Sequence, residues 1–331
     1  MSLRTIKADL ASAPCGTLKW FIAREKPNLD DIEELKKPIE FTEDRLSDVD
    51  PNSQIRRIYN STVRFFSITN EGEVYWFGSA AIISADGLLL TAKHCVEDIK
   101  APNFCIEIPI PPQVKQYFQL DFSLLVPARV VFKYPYIPAR VVFKHPYIDL
   151  ALLKIPEIKD IPYNFTPIAE VDPKESSIVC ASGFPRDIKI LTVGEVFSSP
   201  ANRWKIDDWF NFGKSTLSPS IGEIETDNHG VLPGHSGGPL LNLNGEVSGI
   251  TTGSVLTFSG FGKRIKELFF KLFKLKKPKD LNNRKENPLI EIYQYKTPAL
   301  FEPITKALEM LDVLGVRPEK IREGNPSGIK D

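Results

Sequence analysis

The chain has 331 residues, 42% of them hydrophobic and 25% charged, an ordinary composition for a globular protein with a sizeable core. Its 42 basic and 42 acidic side chains cancel, which argues against a protein that binds nucleic acid over its whole surface. The opening segment 1–7 lacks the apolar region of a signal peptide, and the sequence has no 18-residue apolar run. We therefore expect a cytoplasmic protein with reduced thiols at Cys15, Cys95, Cys105 and Cys180.

Residues 1–55 are predicted to form an acidic N-terminal extension. The segment 26–50 is rich in carboxylates and carries two prolines, a composition that is typical of a loosely docked arm. We expect the main domain to run from residue 56 to residue 315. A C-terminal tail would then occupy residues 316–331.

The strand pattern begins after residue 61, and its clearest part is a hairpin that ends in a histidine. Apolar runs at 79–83 and 88–92 flank Ala85-Asp86-Gly87, and an Asp-Gly pair between apolar runs predicts a tight β-turn. The second strand leads directly to His94. A lone histidine at the end of a strand is more often structural than catalytic, so its interpretation depends on the residues that follow.

Residues 127–148 hold one 11-residue unit twice. The copies PARVVFKYPYI (127–137) and PARVVFKHPYI (138–148) differ only at Tyr134 and His145. Two units are too few for a solenoid, which needs at least three to bury a core. We expect one copy to lie in a sheet and the other to bulge out as a loop, and the sequence does not decide between them. His145 is predicted to lie at the surface.

Asp149 stands at the head of the apolar run 149–155. A carboxylate at the edge of a core needs a hydrogen-bonding partner. The ring N–H of a catalytic histidine would provide one, and the carboxylate would in turn fix the tautomer of that ring. A polar turn residue at the entry of a strand explains the same pattern equally well.

Short strands separated by glycine and proline turns continue as far as residue 250 and favour an all-β barrel class. They are predicted at 177–183, 190–197 and 221–226, and in a hairpin that turns at Asn244-Gly245.

The loop 234–238 places one serine among three glycines. Glycine allows backbone angles that a Cβ would obstruct, so the hydroxyl is exposed and the neighbouring N–H groups can converge on an oxyanion. In α/β-hydrolases the acid and the histidine follow the serine nucleophile. That class is excluded because every histidine precedes Ser236, whereas the order histidine, aspartate, serine remains open. The four histidines are His94, His145, His229 and His235.

Three segments together resemble the trypsin-like (chymotrypsin-fold) serine proteases, and the HtrA/Deg branch most of all. They are GSAAIISADGLLLTAKHCV (78–96), DLALLKI (149–155) and GHSGGPLLNLNGEVSGITTG (234–253). The resemblance implies a double β-barrel without metal or cofactor. It resumes towards the C-terminus, with a last strand at 289–295 and a closing helix at 303–314. We do not expect a PDZ domain after that helix.

Carried over residue by residue, the resemblance implies peptide-bond hydrolysis through an acyl-enzyme, with a protein or peptide as substrate. Ser236 would be the nucleophile, His94 the general base and Asp149 the residue that orients His94. The backbone N–H groups of Gly234 and Ser236 would form the oxyanion hole. The primary substrate pocket would be lined by Gly230, Thr251 and Thr252. Because this pocket holds no acid, an uncharged, small-to-medium side chain is the expected preference.

The chain departs from the pattern of this family at His235 and in the expected partner of Cys95; Lys93 also stands where a small or polar residue commonly precedes the catalytic histidine. His235 stands where digestive proteases carry aspartate and the HtrA branch carries asparagine. A histidine cannot form the ion pair that this aspartate makes with a newly cut amino terminus, so its presence leaves open whether the oxyanion loop is preformed. Cys95 matches a cysteine of digestive proteases, but the expected partner is absent, which favours a free thiol.

The segment 254–288 is a predicted insertion with a basic amphipathic helix. Its apolar face consists of Ile265, Leu268, Phe269, Leu272 and Phe273, at helical spacing. Lysine and arginine surround this face between residues 263 and 277. Such a helix packs on its own domain, lies on a membrane surface or docks a partner, and all three remain open.

The leading interpretation is a serine endopeptidase. One alternative is a catalytically silent, trypsin-fold module that binds proteins. Another is an esterase on the same scaffold, which would hydrolyse esters without cleaving any unfolded protein.

Overall fold

The computed structural model of the chain describes residues 39–40, 42, 44–47, 49–50, 53–68, 74–97, 104–108, 136–157, 162–185, 188–198, 224–228, 231–254, 299–322, 327 and 329. Within these residues the fold consists of two antiparallel sheets and three short α-helices. The fold class is the chymotrypsin-type double β-barrel that the sequence predicts.

The strands before residue 160 are β1 (Ile39–Glu40), β2 (Thr62–Ile68), β3 (Val74–Ile82), β4 (Leu88–Thr91), β5 (Phe104–Glu107), β6 (Tyr136–Pro138), β7 (Arg140–Lys144) and β8 (Ala151–Lys154). Those after it are β9 (Ile178–Gly183), β10 (Ile190–Ser198), β11 (Ile224–Thr226), β12 (Pro239–Leu241), β13 (Val247–Ser254) and β14 (Ala299–Pro303). The first barrel has the order β6-β5-β2-β3-β4-β8-β7. The second has the order β1-β10-β11-β14-β13-β12-β9, and pairing of β9 with β10 closes it.

The apolar runs in β4 and β8 are continuous because both faces of these strands are buried. Leu89 and Leu153 belong to the core inside the first barrel. Their neighbours Leu88, Leu90 and Leu152 belong to the core that joins the two barrels. A strand with only one buried face would alternate between apolar and polar residues instead. The ends of these strands therefore lie at the junction of the barrels, where the predicted site residues follow them.

Both predicted hairpins are present. Gly87, with φ +86°, ends the turn between β3 and β4. Gly245, with φ +75°, lies in the turn between β12 and β13. Both backbone angles are in the left-handed region that glycine adopts without strain.

The second copy of the 11-residue repeat forms the strand before Asp149. Residues 140–144 of that copy are β7, which pairs with β8. Of the first copy only Tyr136 and Ile137 are described, in β6, and residues 127–135 lie outside the described residues.

The described part of the predicted N-terminal extension packs against the second barrel instead of forming a loose arm. Ile39 and Glu40 pair with β10. Leu46 and Val49 are buried in the core between the barrels, next to Ile55 of helix α1 (Gln54–Ser61). These apolar side chains explain the packing, because their burial outweighs the acidic composition of the surrounding residues. Residues 1–38 lie outside the described residues.

The predicted closing helix is present as α2 (Ile304–Val313), and a short helix α3 (Pro318–Arg322) follows it. Ile304, Ala307 and Leu311 of α2 are buried. The tail also reaches the first barrel, where the hydroxyl of Ser327 donates to Oδ2 of Asp86 at 2.6 Å. The predicted strand at 289–295 lies outside the described residues, and the last strand described is β14.

No helix among the described residues is long and apolar enough to cross a membrane. The predicted insertion 254–288, with the basic segment 263–277, lies outside the described residues apart from Ser254 at the end of β13.

Candidate active site

A turn of 3-10 helix from Lys93 to Cys95 follows β4 and carries His94. Nδ1 of His94 lies 2.5 Å from Oδ2 of Asp149, and the backbone N–H of His94 donates to Oδ1 of the same carboxylate at 2.8 Å. An ionised carboxylate only accepts hydrogen bonds, so Nδ1 carries a proton, and in the neutral form of the ring the lone pair is on Nε2. The two bonds therefore fix both the position and the tautomer of His94.

The environment of His94 acts on its pKa in two directions. Burial lowers the pKa, whereas hydrogen bonds and charge interactions with Asp149 and Cys95 raise it. The net effect raises the pKa of His94 to about 10. The side chain of His94 is 43% exposed and that of Asp149 is 19% exposed, so the pair stands at a surface that solvent reaches.

Asp149 is held from both barrels. Its backbone carbonyl accepts a hydrogen bond from the N–H of Lys93 at 3.2 Å, beside His94. Its backbone N–H donates to Oε1 of Glu302 at 3.1 Å. Glu302 lies on β14 of the second barrel and is 2% exposed. Hydrogen bonds from both barrels therefore fix the backbone of Asp149.

The loop that carries Ser236 begins with a Pro-Gly turn. The N–H of His235 donates to the carbonyl of Leu232 at 2.9 Å, which closes a four-residue turn with Pro233 and Gly234 at its centre. Proline in the first central position and a φ of +101° at Gly234 are the features of a type II turn. Pro233 and Gly234 are the residues that such a turn requires, so it forms without an ion pair at position 235.

Two further glycines allow the loop to approach the first barrel closely. Gly237 has φ +83°, and a Cβ there would lie 2.1 Å from the carbonyl oxygen of Ser79 and from Oγ1 of Thr91. A Cβ on Gly78 would lie 2.7 Å from the carbonyl oxygen of Ser236 and 2.9 Å from Sγ of Cys95. This close approach brings Ser236 near Cys95, the residue that follows His94.

Ser79, on β3, holds this loop from the side of the first barrel. Its hydroxyl donates to the carbonyl of Gly234 at 2.7 Å and accepts from the N–H of Phe184 at 3.0 Å. Its backbone N–H donates to the carbonyl of Ser236 at 2.8 Å. The N–H groups of Gly234 and Ser236 donate to no other residue in the described ranges. Both are therefore available as donors to a bound oxygen.

The hydroxyl of Ser236 makes no hydrogen bond with any residue that the structure describes, His94 included. Nε2 of His94 instead lies 3.4 Å from Sγ of Cys95. Cys95 is a free, buried thiol, as are Cys105 and Cys180, and their reduced state stays a prediction. Cys15 lies outside the described residues.

His235 is fully buried beneath the loop. A Cβ on Gly183 would lie 2.6 Å from Cδ2 of its ring, and neither ring nitrogen has a hydrogen-bonding partner among the described residues. Burial lowers the pKa of His235 to about 3, so the ring is neutral. The residue acts as a packing group in this position and carries no charge.

Part of the predicted substrate pocket is described. Thr251 and Thr252 are buried on β13, and their hydroxyls donate to the carbonyls of Gly238 and Leu300 at 2.9 and 3.0 Å. Gly230 and its neighbour His229 lie outside the described residues. The preference for an uncharged side chain stays a prediction.

The sequence did not point to Ser79 or to the contact of Cys95 with His94. Glu302 carried a signal that sequence reasoning missed, namely a carboxylate inside the apolar run 299–303, which needs a buried partner. Among the described residues, no group of three or more His, Cys, Asp or Glu side chains could hold a metal ion.

Two antiparallel barrels with a His–Asp pair and a glycine-bounded serine loop at their junction define the class of chymotrypsin-type proteins. The family model of the trypsin-like peptidase domain matches residues 78–250, just over half of the chain. The chain belongs to the trypsin-like peptidase family.

The curated relatives that the chain matches are described as DegP-like endoproteases. The chain is 28% identical over 185 residues to the "Probable periplasmic serine endoprotease DegP-like" of Chlamydia pneumoniae, which covers 56% of this chain and 30% of that protein. The protein of the same description from Chlamydia muridarum (strain MoPn / Nigg) is also 28% identical over 185 residues, 29% of its length. The chain therefore matches less than a third of these relatives.

Among solved structures, the HtrA-type protease AlgW with a tripeptide has a TM-score of 0.47 and 20% identity, covering 82% of this chain and 64% of that chain. The serine endoprotease from Yersinia pestis also has a TM-score of 0.47 and 20% identity, covering 82% and 66%. The curated relatives are described as periplasmic, whereas the sequence predicts a cytoplasmic location for this chain.

Proposed function

We propose that this chain is a serine endopeptidase that hydrolyses peptide bonds through an acyl-enzyme. Ser236 is the nucleophile, and His94 takes its proton and returns it to the leaving amine. Asp149 orients His94 and stabilises the imidazolium that forms. The N–H groups of Gly234 and Ser236 stabilise the oxyanion of the tetrahedral intermediate.

The observation that carries this proposal is the double hydrogen bond between one carboxylate and one histidine. Asp149 binds both Nδ1 and the backbone N–H of His94, at 2.5 and 2.8 Å. A carboxylate that served only as a turn residue would need the backbone bond alone. Binding of Nδ1 leaves Nε2 as the basic nitrogen, which is the atom that takes the proton of the nucleophile in a Ser-His-Asp triad.

The hydroxyl of Ser236 must turn towards Nε2 of His94 before reaction. Within the described residues this hydroxyl has no competing hydrogen bond that would hold it away from Nε2. Catalytic hydrogen bonds often tighten only when substrate binds. Nε2 must at the same time give up its 3.4 Å contact with Cys95.

The loop supports the electrophilic half of the mechanism. The type II turn at Pro233-Gly234 and the hydrogen bonds from Ser79 to the carbonyls of Gly234 and Ser236 fix the backbone of the loop. Preorganised donors of this kind stabilise charge without reorganisation during the reaction. Replacement of the usual aspartate or asparagine by His235 is compatible with this arrangement, because the turn forms without a side-chain bond from that position.

The test is active-site labelling of the full chain with a fluorophosphonate, followed by mass spectrometry. We expect one adduct on Ser236 in the native chain and in Ser248→Ala, and none in Ser236→Ala. Ser248 is a suitable control because its buried hydroxyl donates to the carbonyl of Leu240 at 3.3 Å, within the second barrel. A folded native chain that is not labelled would overturn the proposal.

A catalytically silent binding module is the second candidate, and one observation favours it: the bond between Ser236 and His94 is not formed. Under this alternative, unfolded proteins bind to the chain without being cleaved and the probe does not react. The esterase alternative predicts labelling of Ser236 with ester turnover but no cleavage of an unfolded protein. Cleavage of casein by the native chain but not by Ser236→Ala identifies the endopeptidase. Where casein is not cleaved, labelling of Ser236 separates the esterase from the silent module.

A protein or peptide remains the proposed substrate, and a cytoplasmic location remains a prediction. A membrane-surface or docking role for the segment 263–277 likewise stays a prediction. Its test is vesicle binding and peptide hydrolysis by a chain that lacks residues 256–286, with the intact chain as control.

A further inference from the structure

The two copies of the repeat differ only at Tyr134 and His145, and His145 lies close to Asp149 in the sequence. The copy with the histidine forms β7, and His145 follows that strand directly. Residues 146–148 form a tight bend and lead into Asp149. The only residue that distinguishes the second copy therefore stands at the start of the turn that delivers Asp149 to His94.

Nδ1 of His145 is the acceptor that closes this turn. It accepts the backbone N–H of Tyr147 at 3.2 Å and that of Ile148 at 3.1 Å. The backbone N–H of His145 donates to the carbonyl of Leu150 at 2.9 Å. Backbone N–H groups can only donate, so Nδ1 is unprotonated and the neutral ring carries its proton on Nε2. A second proton on Nδ1 would abolish both bonds.

Charged groups from two elements face the ring of His145. Lys93, in the turn of 3-10 helix, donates to the carbonyl of Pro146 at 3.5 Å, and Lys306 and Glu309 lie on α2. Burial lowers the pKa of His145, Lys93 and Lys306 lower it further, and Glu309 opposes them. These surroundings maintain the neutral form that the turn requires.

We propose that neutral His145 is a positioning residue, which holds the turn 146–148 and thereby Asp149, and that its protonation releases the turn and slows the reaction. This inference rests on the proposed function, because Asp149 matters to the rate only if it orients His94. The turn itself is a structural claim that can be measured without catalysis.

Two substitutions separate the roles of the ring. His145→Asn keeps an acceptor, because the side-chain oxygen of asparagine accepts N–H groups two and three residues on, but it does not titrate. His145→Tyr introduces the residue of the first copy, whose hydroxyl cannot reach the N–H groups of its own turn. We expect kcat/KM to fall about tenfold in His145→Tyr and to stay within about twofold in His145→Asn near pH 8.

The pH profile supplies a readout that a merely structural role would not move. As pH falls below 6.5, the native chain is expected to lose progressively more activity than His145→Asn, up to about tenfold once the ring is protonated, because only the native chain loses the turn through protonation. Parallel profiles for these two chains would overturn the proposal, as would full activity of His145→Tyr.

Amide hydrogen exchange tests the turn independently of catalysis. In a Ser236→Ala background, the amides of Tyr147 and Ile148 are expected to exchange faster in His145→Tyr than in His145→Asn. Equal exchange in the two variants would contradict the claim about His145 alone. Failure of Ser236 to react with fluorophosphonate, with exchange as expected, would instead contradict the proposed function.

Discussion

Glu302 accepts the backbone N–H of Asp149 at 3.1 Å, so a strand of the second barrel positions a residue that the first barrel presents to His94. Glu302 is 2% exposed and lies in an otherwise apolar strand. A buried carboxylate is costly unless it is hydrogen-bonded. The N–H of Asp149 is such a partner, and the bond fixes the backbone of Asp149.

The first prediction concerns this link. Glu302→Gln keeps an oxygen acceptor, whereas Glu302→Ala leaves the N–H of Asp149 without one. We expect kcat to fall about tenfold in Glu302→Ala with little change in KM, and to be largely retained in Glu302→Gln. Steady-state kinetics on a peptide substrate measure both values. A rise in KM alone would show that Glu302 acts on substrate binding and not through Asp149.

The second prediction concerns Ser79 and the serine loop. Ser79→Ala removes the hydrogen bond to the carbonyl of Gly234 and the one from the N–H of Phe184. We expect the rate of fluorophosphonate labelling to fall about tenfold or more, because the donors of the loop lose their fixed orientation. The same substitution at Ser248 is the control for loss of a buried serine hydroxyl. Equal labelling rates in the two variants would mean that Ser79 does not hold the loop.

The third prediction concerns pH and Cys95. A general base acts in its neutral form, and burial lowers the pKa of His94 while Asp149 and Cys95 raise it to a net value of about 10. Activity of the native chain should therefore rise with pH up to about 10. Cys95→Ala removes one group that raises the pKa, so its rise should occur at lower pH.

The measurement is kcat/KM as a function of pH for the native chain, Cys95→Ala and Cys95→Ser. Serine keeps a polar hydrogen-bonding group beside Nε2 of His94, and its profile should lie between the other two. Coincident profiles would show that the 3.4 Å contact between Cys95 and His94 has no effect on the base.

The fourth prediction concerns stability in acid. Burial lowers the pKa of His235 from 6.5 to about 3 in the folded chain. Below pH 6.5 the unfolded chain gains a proton that the folded chain does not, so this residue reduces the free energy of unfolding as pH falls from 6.5 towards 3. His235→Asn does not titrate. Its stability relative to the native chain should increase by about 2 kcal/mol between about pH 7 and pH 5.

Urea unfolding of His235→Asn and the native chain at both pH values measures this difference. A Ser236→Ala background prevents self-cleavage without changing His235. A constant difference between the two chains would mean that His235 finds a partner for its proton in the folded state.

The sequence alone predicted the hairpin, the strand and the glycine-rich loop that carry the three proposed site residues. The hairpin turns at Gly87 and Gly245 and the helix that ends at Val313 follow from local rules, because a left-handed glycine or an apolar face at helical spacing is a property of a short segment. The order of His94, Asp149 and Ser236 along the chain was enough to exclude the α/β-hydrolases, and the match of the family model to residues 78–250 confirms the class.

Only the tertiary structure decided how these residues are held. Two nearly identical copies of a repeat cannot be told apart by propensity, and β7 is a strand because β8 and the core between the barrels lie beside it. The contacts of Ser79 with Gly234 and of Glu302 with Asp149 join residues more than 150 positions apart. Such contacts arise from closure of two barrels against each other, and no local pattern encodes that closure.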